Sequence, residues 1–414
     1  MNESSATIAS QKIFTPYQVF IIAILAILQF TIILDFMVLS PLGEQLMDEL
    51  NITPAKFSYV VSVYAISAGI SGLLAAGFAD KFDRKKILLF FYTGFIVGTL
   101  FCGLAPNYNF LLAARIITGI FGGVIGSVSF AIITDLFKLE VRGRVMGFVQ
   151  MAFASSQVLG IPVGLYLANH LGWHSPFLLI VGISLVIGTI IIIYMKPINA
   201  HLKIQSDTSP VQHFIHVISQ TRYLKAFIAT TLLATGGFML LPFGSAFSVH
   251  NLGISRYQLP MLYLITGIFS MAAGPIVGKL SDKQGKYTVF TIGTIISIIM
   301  VSIYSNLGIT PLWIVISINV VLFFGIMARM ISSSTLMTAI PEAKDRGAFM
   351  GINSSFQQIS GGIASIIAGL IVTRKSDISP VEHYDIVGYV VTGTSIVTLI
   401  FMYYINQYVI RNQK

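Results

Sequence analysis

The chain has 414 residues, of which 55% are hydrophobic and only 10% charged, with a formal net charge of +9. Soluble domains carry about 25% charged residues, so a chain this apolar could not cover a water-facing surface. The single cysteine, Cys102, excludes an internal disulfide framework and reads as a small packing residue.

Residues 1–16 are polar, with Lys12 their one basic side chain. The first apolar run, 17–40, is too long for a signal-peptide core and has no small-residue cleavage site after it, so it is expected to stay as the first membrane span. A span needs about 20 mostly apolar residues. Twelve stretches qualify: 17–40, 57–79, 86–105, 109–136, 143–168, 174–195, 224–250, 258–280, 286–306, 311–339, 347–373 and 385–409. Backbone groups in hydrocarbon must be satisfied within the segment, and the runs are continuous rather than alternating, which excludes a lipid-facing barrel and predicts an all-α membrane protein.

Basic residues set the orientation. With the N-terminus inside, inside segments hold 19 of the 25 Lys and Arg residues, whereas outside loops hold only Lys56, Arg256, Arg374 and Lys375. The positive charge is therefore a topology signal and nucleic acid is not needed to explain it. The lipid bilayer is the expected surroundings, with both termini cytoplasmic in a multi-pass plasma-membrane (bacterial inner-membrane) protein.

The longest polar gap, 196–223, reads as a cytoplasmic linker between a six-helix bundle at 1–195 and a second at 224–414. Residues 211–223 within it have apolar residues at helical spacing, as for a helix on the membrane surface. His213 and His216 offer too few ligands for a metal site, and no metal or other cofactor is expected.

The two halves repeat. At an offset of 202, Asp35-Phe36-Met37-Val38-Leu39 falls on Gly237-Phe238-Met239-Leu240-Leu241, and Asp80-Lys81 on Asp282-Lys283. At an offset of 204, Arg142-Gly143 meets Arg346-Gly347 and Met146-Gly147 meets Met350-Gly351. Duplicated halves with a site between them are a transporter signature.

Gly278-Lys279-Leu280-Ser281-Asp282-Lys283-Gln284-Gly285-Lys286 resembles the loop G-x-L-A-D-R-x-G-R-K of the major facilitator superfamily. The first-half copy, residues 76–86, keeps Asp80, Arg84 and the basic run but has Ala76 and Asp83 for the two glycines. Arg115-Ile116-Ile117-Thr118-Gly119 is similar to the family's fourth-helix R-x-x-x-G motif. Gly160-Ile161-Pro162-Val163-Gly164 resembles its G-P-x-x-G antiporter motif with Ile161 inserted, and with Gly172-Trp173 is similar to the arabinose-efflux-like branch of the twelve-helix drug:proton antiporters. The resemblance implies the major facilitator fold, twelve transmembrane helices in two pseudo-symmetric halves, a small-molecule substrate exchanged for protons, and a monomer.

A charge inside a span is costly and is a functional hypothesis by default. Three stand out: Asp35, Arg115 and Arg329. Asp35 lies six residues before Pro41 and Arg115 six after Asn109, so both sit roughly 9 Å below the outer surface, at 1.5 Å per residue. In the family, helices 1 and 4 line the central cavity, so Asp35 is a candidate proton carrier and Arg115 its partner. The alternative is a permanent structural ion pair. Arg329 lies deeper and could contact an anionic group of the substrate or bond backbone carbonyls. Gln150, Gln157, Asn319, Asn353 and Gln357, with Phe36, Tyr64 and Phe238, are further candidate substrate contacts. Gln150 and Gln157, seven apart, are expected to share a helix face.

In the family, a loop acid, a loop arginine and an acid ending helix 4 form a cluster that closes the inside of the outward-open state. Asp80, Arg84 and Asp135 match those positions; Arg142, and in the second half Asp282 and Arg346, are candidate members of the same gate. The chain has no H-E-x-x-H, G-x-x-x-x-G-K-[ST] or G-x-S-x-G. An enzyme or ATP-driven pump is not expected. Proton-coupled export, with proton-coupled uptake of a sugar or metabolite as the alternative, fits the motifs; a membrane receptor would not need the buried Asp and Arg.

Overall fold

The computed structural model describes residues 14–75, 78–199, 202, 210–342, 345–376 and 379–413, without the side chains of 80, 139, 140, 143, 210–214, 412 and 413. The described residues form helices and turns, with one isolated β-bridge between Thr373 and Glu382. The first half holds α1 (Pro16–Val38), the short α2 (Gly43–Glu49), α3 (Pro54–Ala75), α4 (Arg84–Gly103), α5 (Tyr108–Leu136), α6 (Leu139–Ser155), a π turn (Ser156–Gly160), α7 (Ile161–Leu171) and α8 (Ser175–Tyr194). After α9 (Pro210–Ser219), the second half holds α10 (Thr221–Leu240), α11 (Gly244–His250), α12 (Leu259–Gln284), α13 (Lys286–Tyr304), α14 (Leu312–Thr338), α15 (Arg346–Ile371) and α16 (Tyr384–Gln413).

Local chemistry starts these helices where the sequence places polar residues. Thr15 and Gln18 form a capping box at α1, Asp83 accepts from the Lys86 amide at α4, and Asn107 accepts from the Phe110 amide at α5. Each bond satisfies an amide that has no partner within its helix.

Eleven of the long helical segments have the length and apolarity to cross a membrane. The twelfth, α15, spans 26 residues but carries Asn353, Ser354, Ser355, Gln357, Gln358 and Ser360 in its middle. Its neighbours explain how that polarity is tolerated. It packs along α3 of the first half and α10 of its own, and Thr230 and Thr231 of α10 bond Asn353 and Ser360. Such a helix needs little lipid-facing surface. The predicted spans agree with the helices to within a few residues, the seventh starting at Thr221 inside the expected linker. That span is broken by a turn at Leu241–Phe243 containing Pro242, and the linker contains α9.

Within the first half α3 and α4 pack on α5, and α1 on α6 and α8; in the second, α13 packs on α14 and α10 on α15 and α16. Across the halves, α3 lies along α15, and α7 with its π turn along α12. Residues 14 and 413 lie at the same end of the bundle, here the termini end; α2 and the loops around 104–107, 251–258 and 372–383 lie at the opposite end.

Candidate functional site: a sealed ion pair beside the seam between the halves

Asp35 lies one turn from the end of α1 and Arg115 two turns into α5, so the helices run their side chains together at one level. Arg115 Nη1 donates to Asp35 Oδ2 at 2.7 Å, and both side chains are 0% exposed. Thr99 of α4 donates to Asp35 Oδ1 at 3.2 Å. The guanidinium carbon stands 4.3 Å from the centre of the Tyr64 ring. Arg115 Nε and Nη2 are buried with no hydrogen-bond partner among the described residues, so the carboxylate and the ring face carry most of the compensation for this charge. The close approach of α3 and α5 depends on small residues: a side chain at Gly119 would stand 2.5 Å from the Tyr64 carbonyl oxygen. In the second half the positions equivalent to Asp35 and Arg115 hold Gly237 and Asn319, so the pair has no counterpart there.

Tyr64 is 2% exposed. Its ring stacks on Phe36 at 5.4 Å, and Phe36 meets Phe238 of the second half at 5.6 Å. The three aromatic candidates thus form one row from the ion pair to the seam. Beyond it, toward the opposite end, a cavity of about 40 Å³ is lined by Met37, Ser40, Gln157, Tyr263, Thr266 and Gly267 among others, large enough for a water molecule.

The antiporter-like motif packs on α1. A side chain at Gly160 would stand 2.5 Å from Leu34, and one at Gly164 2.8 Å from Val38. The π turn ends immediately before Ile161, the residue inserted relative to the family pattern, and the Ile161 amide bonds five residues back to Ser156. A π turn is how a helix absorbs one extra residue. Gln150, in α6, is exposed, and Gln157, the second residue of the π turn, is buried.

The other polar candidates are dispersed. Asn353 accepts from Thr230 at 2.7 Å, Asn319 donates to the carbonyl of Val315 in its own helix, and Gln357 is exposed on α15. Arg329 is 7% exposed, and its Nε and Nη2 are buried with no partner among the described residues.

At the termini end Arg84 Nε bonds Asp135 Oδ2 at 2.9 Å; the side chain of Asp80 lies outside the described residues. Arg142 bonds the carbonyls of Thr134 and Phe137 at 2.6 and 2.8 Å, where a cation meets the negative end of α5. Asp282 and Arg346 are exposed. In the second half Tyr223 donates to the buried Asp345 at 2.9 Å and Arg222 pairs with Glu342. Each of these contacts lies within one half.

The opposite end is different, and sequence reasoning missed it. Glu44 and Asp48, one turn apart on α2, both pair with Arg256 of the second half. Arg374 Nη2 reaches Asp48 at 2.7 Å, and His250 Nε2 lies 3.3 Å from Glu44. Ser40 donates to the Leu241 carbonyl and accepts from Ser245 through its own carbonyl. These side chains, with Glu44 only 2% exposed, thus tie the halves together at this end. The available signal was that Arg256 and Arg374 are two of the few basic residues on that side and that Glu44 and Asp48 share a helix face.

This arrangement, two six-helix halves with ionisable groups buried in the first and polar ties between the two, is that of a membrane transporter. The Major Facilitator Superfamily profile matches residues 25–365 and 226–411, and the chain belongs to that family. It is 23% identical over 368 residues to the uncharacterized MFS-type transporter YceJ of Bacillus subtilis (strain 168), covering 88% of this chain and 92% of that one. It is 33% identical over 152 residues to Multidrug resistance protein 3 of the same organism, covering 37% of this chain and 30% of that one. Among solved structures it is similar in fold to the human organic anion transporter MFSD10 (TETRAN), with TM-score 0.71 and 13% identity, covering 94% and 100% of the two chains.

Proposed function

We propose that the chain is a secondary active transporter that exports a small organic solute in exchange for protons by alternating access, with Asp35 as the proton carrier and Arg115 as the partner that tunes it. The observation that carries this reading is the fully enclosed Asp35–Arg115 pair, the one place where a carboxylate and a guanidinium face each other inside the bundle among the described residues. Similarity to Multidrug resistance protein 3 supports export, as does the antiporter-like motif at Gly160, Pro162 and Gly164.

The basic residues at the termini end favour placing that end in the cytoplasm of a plasma-membrane protein. The ties through Glu44 and Asp48 then close the outside, and the cargo reaches Phe238, Asn353, Gln357 and Arg329 from within. The Arg84–Asp135 pair would join Asp80 in closing the inside in the opposite state.

The test is the protein in liposomes with an internal pH dye, screened against candidate solutes as wild type and Asp35→Asn. Proton flux opposite to solute movement, lost in the variant, is the expected result. Solute and protons moving together would make it a symporter. Solute movement with no proton flux in either protein would sink the coupling.

A further inference from the structure

Tyr64 connects two interactions that share no other residue. Its ring carries the Arg115 guanidinium at 4.3 Å and stacks on Phe36 at 5.4 Å. Phe36 in turn meets Phe238 across the seam at 5.6 Å. Phe238 has little slack: its ring lies 2.7 Å from where a side chain on Gly361 of α15 would begin, and its carbonyl accepts from Ser365 of the same helix. Helix α15 is also the helix that α3, which carries Tyr64, lies along.

We propose that Tyr64 is a positioning residue that transmits the charge state of Asp35 to the packing between the two halves. The proposal rests on the reading of Asp35 as proton carrier. With Asp35 ionised, the pair is neutral as a unit and can stay sealed. When a carboxylate oxygen of Asp35 takes a proton from a hydronium ion, an O–H bond forms on Asp35 as one on the donor breaks and leaves water, and the pair acquires the net positive charge the donor gave up. Arg115 cannot shed that charge, and a buried cation without a carboxylate partner is strongly disfavoured. The ring face of Tyr64 is then its main remaining contact, so any move of the guanidinium toward water carries or releases Tyr64. Because Tyr64 stacks on Phe36, and Phe36 on Phe238, that displacement is delivered to the seam. The groups facing Asp35 from the elements around it are Arg115 of α5, Tyr64 of α3, and Thr99 and Cys102 of α4; Arg115 is the one fixed charge among them.

The experiment needs no substrate. Spin labels at Lys56→Cys and Ile309→Cys, both exposed at the opposite end, one in each half, report the distance between the halves in lipid nanodiscs as the pH is lowered; the buried Cys102 stays in place. The wild type is expected to shift toward the longer distance on acidification. Asp35→Asn, which mimics the protonated acid, should hold the longer distance at every pH. Tyr64→Phe keeps the ring and should keep the response. Tyr64→Leu should cut the acid-driven change in the ratio of long to short distances by about 2- to 30-fold, the range a cation–π contact of this kind carries. Phe36→Leu, which removes the middle ring but leaves the ion pair, should do the same and guards against misfolding of the first variant. A wild-type response in both leucine variants overturns the relay while leaving the proton reading intact. A wild-type distance that ignores pH, or an Asp35→Asn protein that still follows it, overturns the proton reading and the relay with it.

Discussion

Arg115 donates to Asp35 at 2.7 Å in a site with no water-accessible surface on either side chain, and the two partners differ in what they can do when left alone. A carboxyl can take up a proton and become neutral, whereas a guanidinium stays charged. Removing Asp35 should therefore cost more stability than removing Arg115. We expect Asp35→Asn to lose about 3–5 kcal/mol, the range for breaking a buried pair, and Arg115→Gln to lose less. The double variant should recover part of the Asp35→Asn loss. Thermal unfolding in detergent of the three proteins checks the order.

Glu44 is the hub of the ties between the halves at the opposite end, meeting both Arg256 and His250. Replacing Glu44 and Asp48 by alanine should remove the carboxylates that Arg256 and Arg374 reach across the seam. The expected outcome is faster alkylation of a Met37→Cys probe, which is buried beneath the ties, by about tenfold or more, each tenfold corresponding to about 1.4 kcal/mol. Unchanged labelling would mean that the ion pairs decorate a contact held by apolar packing.

A side chain at Gly123 would stand 2.3 Å from the Ala68 carbonyl oxygen and 2.5 Å from its Cα, both backbone atoms. Gly123→Ala must push α5 from α3, and overpacking of this kind costs about 1–3 kcal/mol. Gly351, in α15, has nothing within 4 Å, so Gly351→Ala should be neutral or gain up to about 1 kcal/mol from helix propensity. Melting temperatures of the two variants should move in opposite directions or by clearly different amounts.

Arg329 is nine-tenths buried and its Nε and Nη2 have no partner among the described residues. An unpaired buried charge is a cost to the empty protein, so Arg329→Met should raise its stability, by about 1 kcal/mol or more. If Arg329 meets an anionic group of the cargo, the same variant should lose transport of anionic solutes while keeping neutral ones. Stability and a two-class solute screen read both effects.

The spans were legible because hydrocarbon imposes a length and a composition that few soluble helices share. Helix α15 marks the limit of that rule: the sequence counts 347–373 as a span, yet α15 is not among the helices apolar enough to cross a membrane, and its Asn353 and Ser360 bond Thr230 and Thr231. Asp35 and Arg115 could be found because their depths are set by nearby helix ends, and depth is a one-dimensional quantity that a sequence contains. The insertion at Ile161 was visible, but the π turn that absorbs it was not, since a helical wheel assumes a constant turn. The ties from Glu44 to Arg256 span 212 residues, and no local pattern records which loop will face which.

The wide turn at Ser156–Gly160 has one more consequence. It presents the backbone of Gln157 and Val158 to Gly267 of α12, where a side chain would begin only 3.1 Å from the Gln157 oxygen and the Val158 Cα. Between α3 and α15 the seam does the same: a side chain at Gly69 would begin 2.9 Å from the Ser355 oxygen and one at Gly362 2.9 Å from the Ser62 oxygen. At both places main chain comes close to main chain across the seam. A lever needs such a bearing, a place where load passes while the surfaces turn, and this seam offers one beside Pro162 and another between α3 and α15.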